Sequence, residues 1–133
     1  MILNIFIILH NIRSAYNVGS IFRSAEAAGV RKIYLTGYTP TPVDRFGRAR
    51  ADVAKSALGA EKIVPWEQRA RLPALLARLK KEGVRVVAVE QDKSALNYRD
   101  FIPRGESAFI FGNEVRGLPQ AILRLSDTVI EIP

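Results

Sequence analysis

The chain has 133 residues, 48% hydrophobic and 25% charged, with nine glycines and seven prolines: the composition of a single globular domain, too apolar for a disordered tail. It has no cysteine, which excludes disulfides, thiol nucleophiles and cysteine-based metal sites, and one histidine, His10, which excludes a multi-histidine metal centre and speaks against a Ser–His triad. Twenty basic against thirteen acidic residues give +7, and residues 1–60 hold eight basic and three acidic ones, a surplus that attracts polyanions such as nucleic acid.

The opening run Ile2 to Leu9 is nearly continuous apolar and β-branched, as in a strand buried on both faces of a parallel sheet. It is far shorter than the ~20 residues a membrane span needs. No basic residue precedes it and no cleavage site follows, so it is a poor signal peptide. A soluble, cytoplasmic protein with no membrane partner is expected. From Val18, apolar residues recur at Ile21, Phe22, Ala25 and Ala28, predicting a helix capped by Asn17 and stopped at Gly29. Lys32 to Thr36 reads as a second strand. Gly37 to Arg50 is a long polar loop, and loops of that length in small domains are usually functional.

Ile63-Val64 is predicted as a short strand. Leu72, Leu75, Leu76 and Leu79 give a helix opened by Pro73 and stopped at Gly83. Val84 to Val89 and Ser107 to Phe111 read as buried strands. Pro119 opens a short helix through Leu123, and Thr128 to Ile132 is a last strand. Alternation of strands and helices predicts an α/β fold, a mostly parallel sheet with helices on both faces. Neither G-x-G-x-x-G nor G-x-x-x-x-G-K-[ST] occurs, so no nucleotide-phosphate grip is spelled out.

Three motifs are more specific. Asn17-Val18-Gly19-Ser20-Ile21-Phe22-Arg23 with Ala27-Ala28-Gly29, then Phe109 to Pro119, then Ile130-Glu131-Ile132-Pro133, resemble in order and spacing the three motifs of the SpoU, or TrmH-type, RNA ribose methyltransferases. The resemblance spans the chain from its first strand to its last residue. It implies a SPOUT-type α/β knot and transfer of a methyl group from S-adenosylmethionine to a ribose 2′-hydroxyl of tRNA or rRNA. It also implies a homodimer and no metal. In that family the third motif continues into a segment with a serine and an asparagine, then a final helix. Residues 1–133 therefore read as a single SpoU-type domain lacking the last part of that motif, with the trefoil knot incomplete. The alternative is a non-catalytic RNA-binding relative of the same fold. A flavodoxin-like domain fits the periodicity but none of the motifs.

The resemblance assigns catalysis to Arg23, Asn17 and Glu114. An arginine is a poor base, so Arg23 is expected to set a fixed cation beside the ribose and its phosphate; without the family it is solvated helix surface. Asn17 would orient Arg23 or the ribose in addition to capping. Glu114 would shape the site and hold Arg23 by a bidentate contact; as an ordinary loop acid it would pair with Arg116. Gly19 reads as a site of close backbone approach, and Gly112 and Gly117 as room for a ligand and a sharp turn. Cofactor contacts, mostly backbone in this family, are expected near Val89, Gly112 and Ile132. Arg45, Arg48 and Arg50, with Phe46 among them, read equally as a solvated run or an RNA-backbone grip, with Arg13 a further candidate. Tyr16 and Tyr38 could stack on an unpaired base but suit packing better. His10 and Trp66 are expected only to pack or hydrogen-bond.

Overall fold

The computed structural model describes residues 4–133, so Ile2 and Leu3 of the opening run lie outside the described residues. The rest of that run forms β1 (Ile5–His10), followed by α1 (Ala15–Ala28) and β2 (Lys32–Thr36). Then come α2 (Ala51–Ala57), β3 (Trp66–Arg69), α3 (Leu72–Lys81) and β4 (Arg85–Val89). The chain continues through β5 (Leu96–Asn97), β6 (Ser107–Phe111), α4 (Gln120–Leu125) and β7 (Thr128–Glu131). The strands form one sheet in the order β3-β2-β1-β6-β4-β7-β5, with every neighbouring pair parallel.

Two clusters of apolar side chains, one on each face, hold helices to this sheet. Ile8, Tyr34, Val86, Ala88, Ala108 and Ile110 pack under Leu72, Leu75, Leu76 and Leu79 of α3 and Ile122 and Leu123 of α4. On the other face Leu9, Ile33 and Leu35 pack under Val18, Phe22 and Ala25 of α1 and Val53 and Ala57 of α2. Alternate residues of each strand thus face opposite helix layers, as the period of two demands. Phe22, Ile8, Leu9, Leu72 and Leu76 are among the largest fully buried side chains, each worth roughly 1.5–3 kcal/mol. The predicted architecture is present.

Two local expectations are corrected and two elements, α2 and β5, were not expected. The Ser14 hydroxyl, not the Asn17 amide, caps α1 by accepting the Asn17 N–H at 3.1 Å, so the helix starts three residues before Val18. Its end is as expected: Gly29 takes a left-handed conformation and donates to Ala25 and Glu26 carbonyls. Ile63-Val64 is no strand, because the Val64 N–H is already bonded to the Ala60 carbonyl; pairing with β2 begins at Trp66, which packs half-buried against the second cluster. The helix α2 has no long periodic stripe to announce it, and it exists because Val53, Ser56 and Ala57 are buried, with Val53 and Ala57 in the α1 cluster. Two-residue β5 is too short for any periodicity and is defined only by pairing with β7.

Gly19 explains how closely α1 and α2 meet. A Cβ there would sit 2.9 Å from the Ala57 nitrogen and closer still to Ser56 Oγ and the Val53 carbonyl oxygen. The Ser56 hydroxyl, against this gap, donates to the Tyr16 carbonyl at 2.8 Å. The close backbone approach expected at Gly19 is therefore to a second helix.

Candidate functional site

In a parallel sheet all the strands end at one edge, and the loops that leave it converge there. Asn11, just after β1, holds a left-handed backbone, φ 55°. Its side-chain oxygen accepts the Tyr38 N–H at 3.1 Å from the loop after β2. Gly37 makes room for this, since a Cβ on it would collide with that same oxygen. Asn113, after β6, donates its amide to the Asn11 carbonyl at 3.0 Å and the Tyr38 hydroxyl at 2.9 Å. Its oxygen accepts the Val115 and Arg116 N–H groups and shapes the 113–117 turn. Two asparagines and a tyrosine thus stitch together the loops after β1, β2 and β6.

Glu114 clasps the start of α1. Its carboxylate accepts the Arg13 and Ser14 N–H groups, both at 3.0 Å, and the Asn17 amide at 3.2 Å. The first turn of α1 has no acidic residue of its own, so this distant carboxylate supplies the negative charge that a helix N-terminus favours. Burial alone would raise the Glu114 carboxyl, but the Arg13 and Ser14 N–H groups and the Asn17 amide together hold it below the usual carboxylate range. A cleft of about 960 Å³ opens here, lined by Arg13, Asn17, Tyr38, Asn113, Glu114 and Arg116 among others.

The expected contact between Glu114 and Arg23 is not made. Both carboxylate oxygens are engaged at the start of α1, and among the described residues no ion pair joins Glu114 to Arg23 or Arg116. Arg23 is exposed on α1 and opens on a second cleft, about 460 Å³, beside Tyr16, Ser20, Lys55 and Leu58. The site thus brings Asn17 to Glu114 and leaves Arg23 about 9 Å farther along the helix axis.

Val89, Gly112 and Ile132 lie at the ends of adjacent strands. β4 lies between β6 and β7, with Val89 opposite both Phe111 and Ile130; Gly112 and Ile132 follow those partners directly or by two residues. The glycines, however, make room for protein. A Cβ on Gly112 would meet the Gly117 backbone at 2.8 Å, and one on Gly117 would strike the Glu90 carboxylate. Glu90 in turn accepts the Leu118 N–H at 2.7 Å and the Gln91 N–H at 3.0 Å.

The loop after β2 is ordered by its own acids. Asp44 accepts the Phe46 and Arg48 N–H groups and pairs with the Arg48 guanidinium at 3.0 Å. Arg50, at the start of α2, pairs with Asp52 at 2.7 Å. Arg45 and Arg48 lie against the Phe46 ring, 4.9 and 5.1 Å from its centroid. Two of the three loop arginines are therefore partly neutralised. His10 bonds Thr36 Oγ1 at 2.8 Å at the end of β1, and burial pushes its pKa down.

The model of the SpoU rRNA Methylase family matches residues 4–133. The chain belongs to that family. Similar SpoU relatives include the 23S rRNA (guanosine-2′-O-)-methyltransferases RlmB of Shewanella oneidensis and Salmonella typhi, 30% and 28% identical over 96% of this chain and 49% of theirs. Among solved structures, an rRNA methyltransferase from Sinorhizobium meliloti is similar at a TM-score of 0.84 and 26% identity, over 98% of this chain and 48% of that one. An AdoMet-bound form is similar at 0.84 and 25%, over 98% and 47%. The chain spans about half the length of these relatives. Within the SpoU fold here, the first motif is α1 and the second is the Glu114 turn that clasps it.

Asn11, Asn113, Ser14 and Glu90 were missed as site-building residues. The available signal was position: each lies just beyond a strand or at a helix start, where Asn and Ser bond backbone locally. Among the described residues no group of three His, Cys, Asp or Glu could hold a metal, and no helix is long and apolar enough to cross a membrane.

Proposed function

We propose that the protein transfers a methyl group from S-adenosylmethionine to a ribose 2′-hydroxyl of tRNA or rRNA. The observation that carries this reading is the adjacency of two half-sites on the carboxyl edge. One is the cleft built on Asn17 and Glu114; the other is the set of strand ends at Val89, Gly112 and Ile132. The names of the Shewanella and Salmonella relatives state ribose methylation of 23S rRNA, and the Sinorhizobium relative was solved with AdoMet.

The strand ends fit such a cofactor in kind. Val89 and Gly112 are half-exposed and Ile132 is exposed, and Glu90, next to Val89, is already occupied by two backbone N–H groups. The group supplies a methyl on a positively charged sulfur. The chain's own residues then have to hold the 2′-hydroxyl in line with it, and positioning of this kind can account for much of a rate enhancement. Asn17, fixed by Glu114, is the rigid polar group that orients the ribose. Arg23, farther along the same helix and on the second cleft, sets a fixed planar cation for the phosphate beside that ribose. Arg13 and Arg45 take backbone phosphates. The same reading makes the chain one SpoU-type domain acting in the cytoplasm as a homodimer, with exposed Leu58 beside the Arg23 cleft as apolar contact surface.

The test is labelled methyl transfer to tRNA and rRNA, with the label mapped to ribose or base, alongside calorimetry for cofactor binding. Transfer to ribose supports the reading. Cofactor binding without transfer to any RNA, or label on a base, overturns it.

A further inference from the structure

The arginines of the carboxyl edge fall into two groups, those with an acidic partner and those without. Arg48 and Arg50 are paired with Asp44 and Asp52, and Arg69, at the end of β3, with Glu67 at 2.8 Å. Among the described residues, Arg71, Arg45, Arg13 and Arg116 have no ion-pair partner and no side-chain hydrogen bond. All four are exposed. They lie in the loops that leave β3, β2, β1 and β6 respectively, and these are four consecutive strands of the sheet. At about 4.8 Å between strands, the row runs roughly 15 Å along the edge.

The charge stops at β6. The loop after β4 holds Glu90, Asp92 and Lys93, and so is net acidic. The basic row therefore covers the half of the edge with the cleft and not the half with the Val89, Gly112 and Ile132 strand ends. Large apolar rings accompany the row: Tyr38 is 60% exposed and Phe46 67% exposed in the loop after β2, and Tyr16 is 64% exposed in the first turn of α1. Rings beside a line of guanidiniums suit unpaired bases attached to a phosphate chain, because every base has a face to stack while a duplex hides its own.

We propose that a single-stranded RNA segment runs along this edge from Arg71 past Arg45 and Arg13 to Arg116, delivering its nucleotide to the cleft. This rests on the RNA-methyltransferase reading and adds the path and strandedness of the substrate. Arg71 and Arg116 become phosphate contacts, whereas Arg48 and Arg50 hold the loop in shape.

The experiment measures binding of a short single-stranded oligoribonucleotide, and of a blunt RNA duplex of the same length, by fluorescence anisotropy across a salt series without cofactor. Arg71→Ala and Arg116→Ala are compared with Arg31→Ala, which removes an exposed arginine just before β2 on the opposite edge; thermal melts confirm that each variant is folded. Each edge variant is expected to lower the slope of log K against log salt by about 0.7 for the single strand, and Arg31→Ala to leave it unchanged. The duplex is expected to bind more weakly. Equal losses from Arg31→Ala and Arg71→Ala would mean diffuse attraction, and duplex binding as tight as single-strand binding would remove the strandedness; either result overturns the proposal. Because methyl transfer is measured separately, an inactive protein with the expected slopes would count against the enzyme reading and leave the path standing.

Discussion

Replacing Gly19 by alanine sets two effects of opposite sign against each other. In a helix interior alanine is better than glycine by about 1 kcal/mol, so α1 alone would gain. The contact with α2 opposes this. The new methyl would lie 2.9 Å from the Ala57 nitrogen and nearer to Ser56 Oγ and the Val53 carbonyl, where ordinary contact begins at 3.4 Å. Two of these atoms are backbone, so α2 must move out by roughly an ångström, a gap that loses a quarter to a half of the dispersion attraction between facing atoms. The bond from Ser56 to the Tyr16 carbonyl, worth about 0.5–1.5 kcal/mol, would be strained too. Overpacking of this kind costs about 1–3 kcal/mol, and with the lost bond it exceeds the helix gain. Net destabilisation of about 1–3 kcal/mol corresponds to a fall in Tm of roughly 4–12 °C for a domain of this size. Thermal unfolding followed by circular dichroism reads it directly. Adding Ser56→Gly should restore only part of the loss, since the Val53 carbonyl remains in the way. A Gly19→Ala protein melting at or above the wild type would refute the tight α1–α2 contact.

Further expectations concern the cleft and its flanks. Glu114→Gln should lower stability by roughly 0.5–1 kcal/mol at neutral pH, since a partly exposed charge at a helix end is screened. Because the Glu114 carboxyl is held below its usual range, its stabilisation is present above that range and lost as pH falls through the depressed value, so the melting difference from Glu114→Gln should close in acid; a constant difference would show that the charge is not what the α1 start uses. Arg23→Ala is expected to abolish methyl transfer with cofactor affinity within a few-fold, and Arg23→Lys to fail as well for want of the planar fork; calorimetry showing lost cofactor binding with normal turnover would place Arg23 in the other half-site. Replacing Arg45, Arg48 and Arg50 together by alanine should flatten the salt dependence of RNA binding by nearer one charge than three, as Asp44 and Asp52 already hold two of them.

The fold was legible because its strands are buried on both faces and its longer helices carry clean stripes, as at Leu72, Leu75, Leu76 and Leu79. What was not legible depends on partners distant in the chain. Nothing local to Ala51–Ala57 says that Val53 and Ala57 will be covered by α1. Asn17 is as good a cap as Ser14 by residue type, but Glu114, from the loop after the neighbouring strand β6, engages the Asn17 amide and Ser14 takes the cap. Likewise the motif resemblance placed Arg23 and Glu114 in one site, but only the position of the 113–117 turn shows which group the carboxylate holds. The nearness of Val89, Gly112 and Ile132 to one another follows from β4 lying between β6 and β7, a strand order that periodicity does not give.

The place of β6 in the sheet has a consequence for synthesis. β6 sits between β1 and β4 and pairs with both, Ile5 opposite Ser107 and Leu9 opposite Phe111. A ribosome delivers β1 about a hundred residues before β6. Until then one edge of β1, with Ile5, Phe6, Ile7 and Ile8 along it, has no hydrogen-bonding partner, and an apolar strand edge in that state is a template for pairing between nascent chains. Pairings this far apart in sequence also form slowly. The chain should therefore pass its most vulnerable interval with β1, β2 and α1 already made and the centre of the sheet still open, and chaperone capture of nascent chains should end sharply once Phe111 has cleared the exit tunnel.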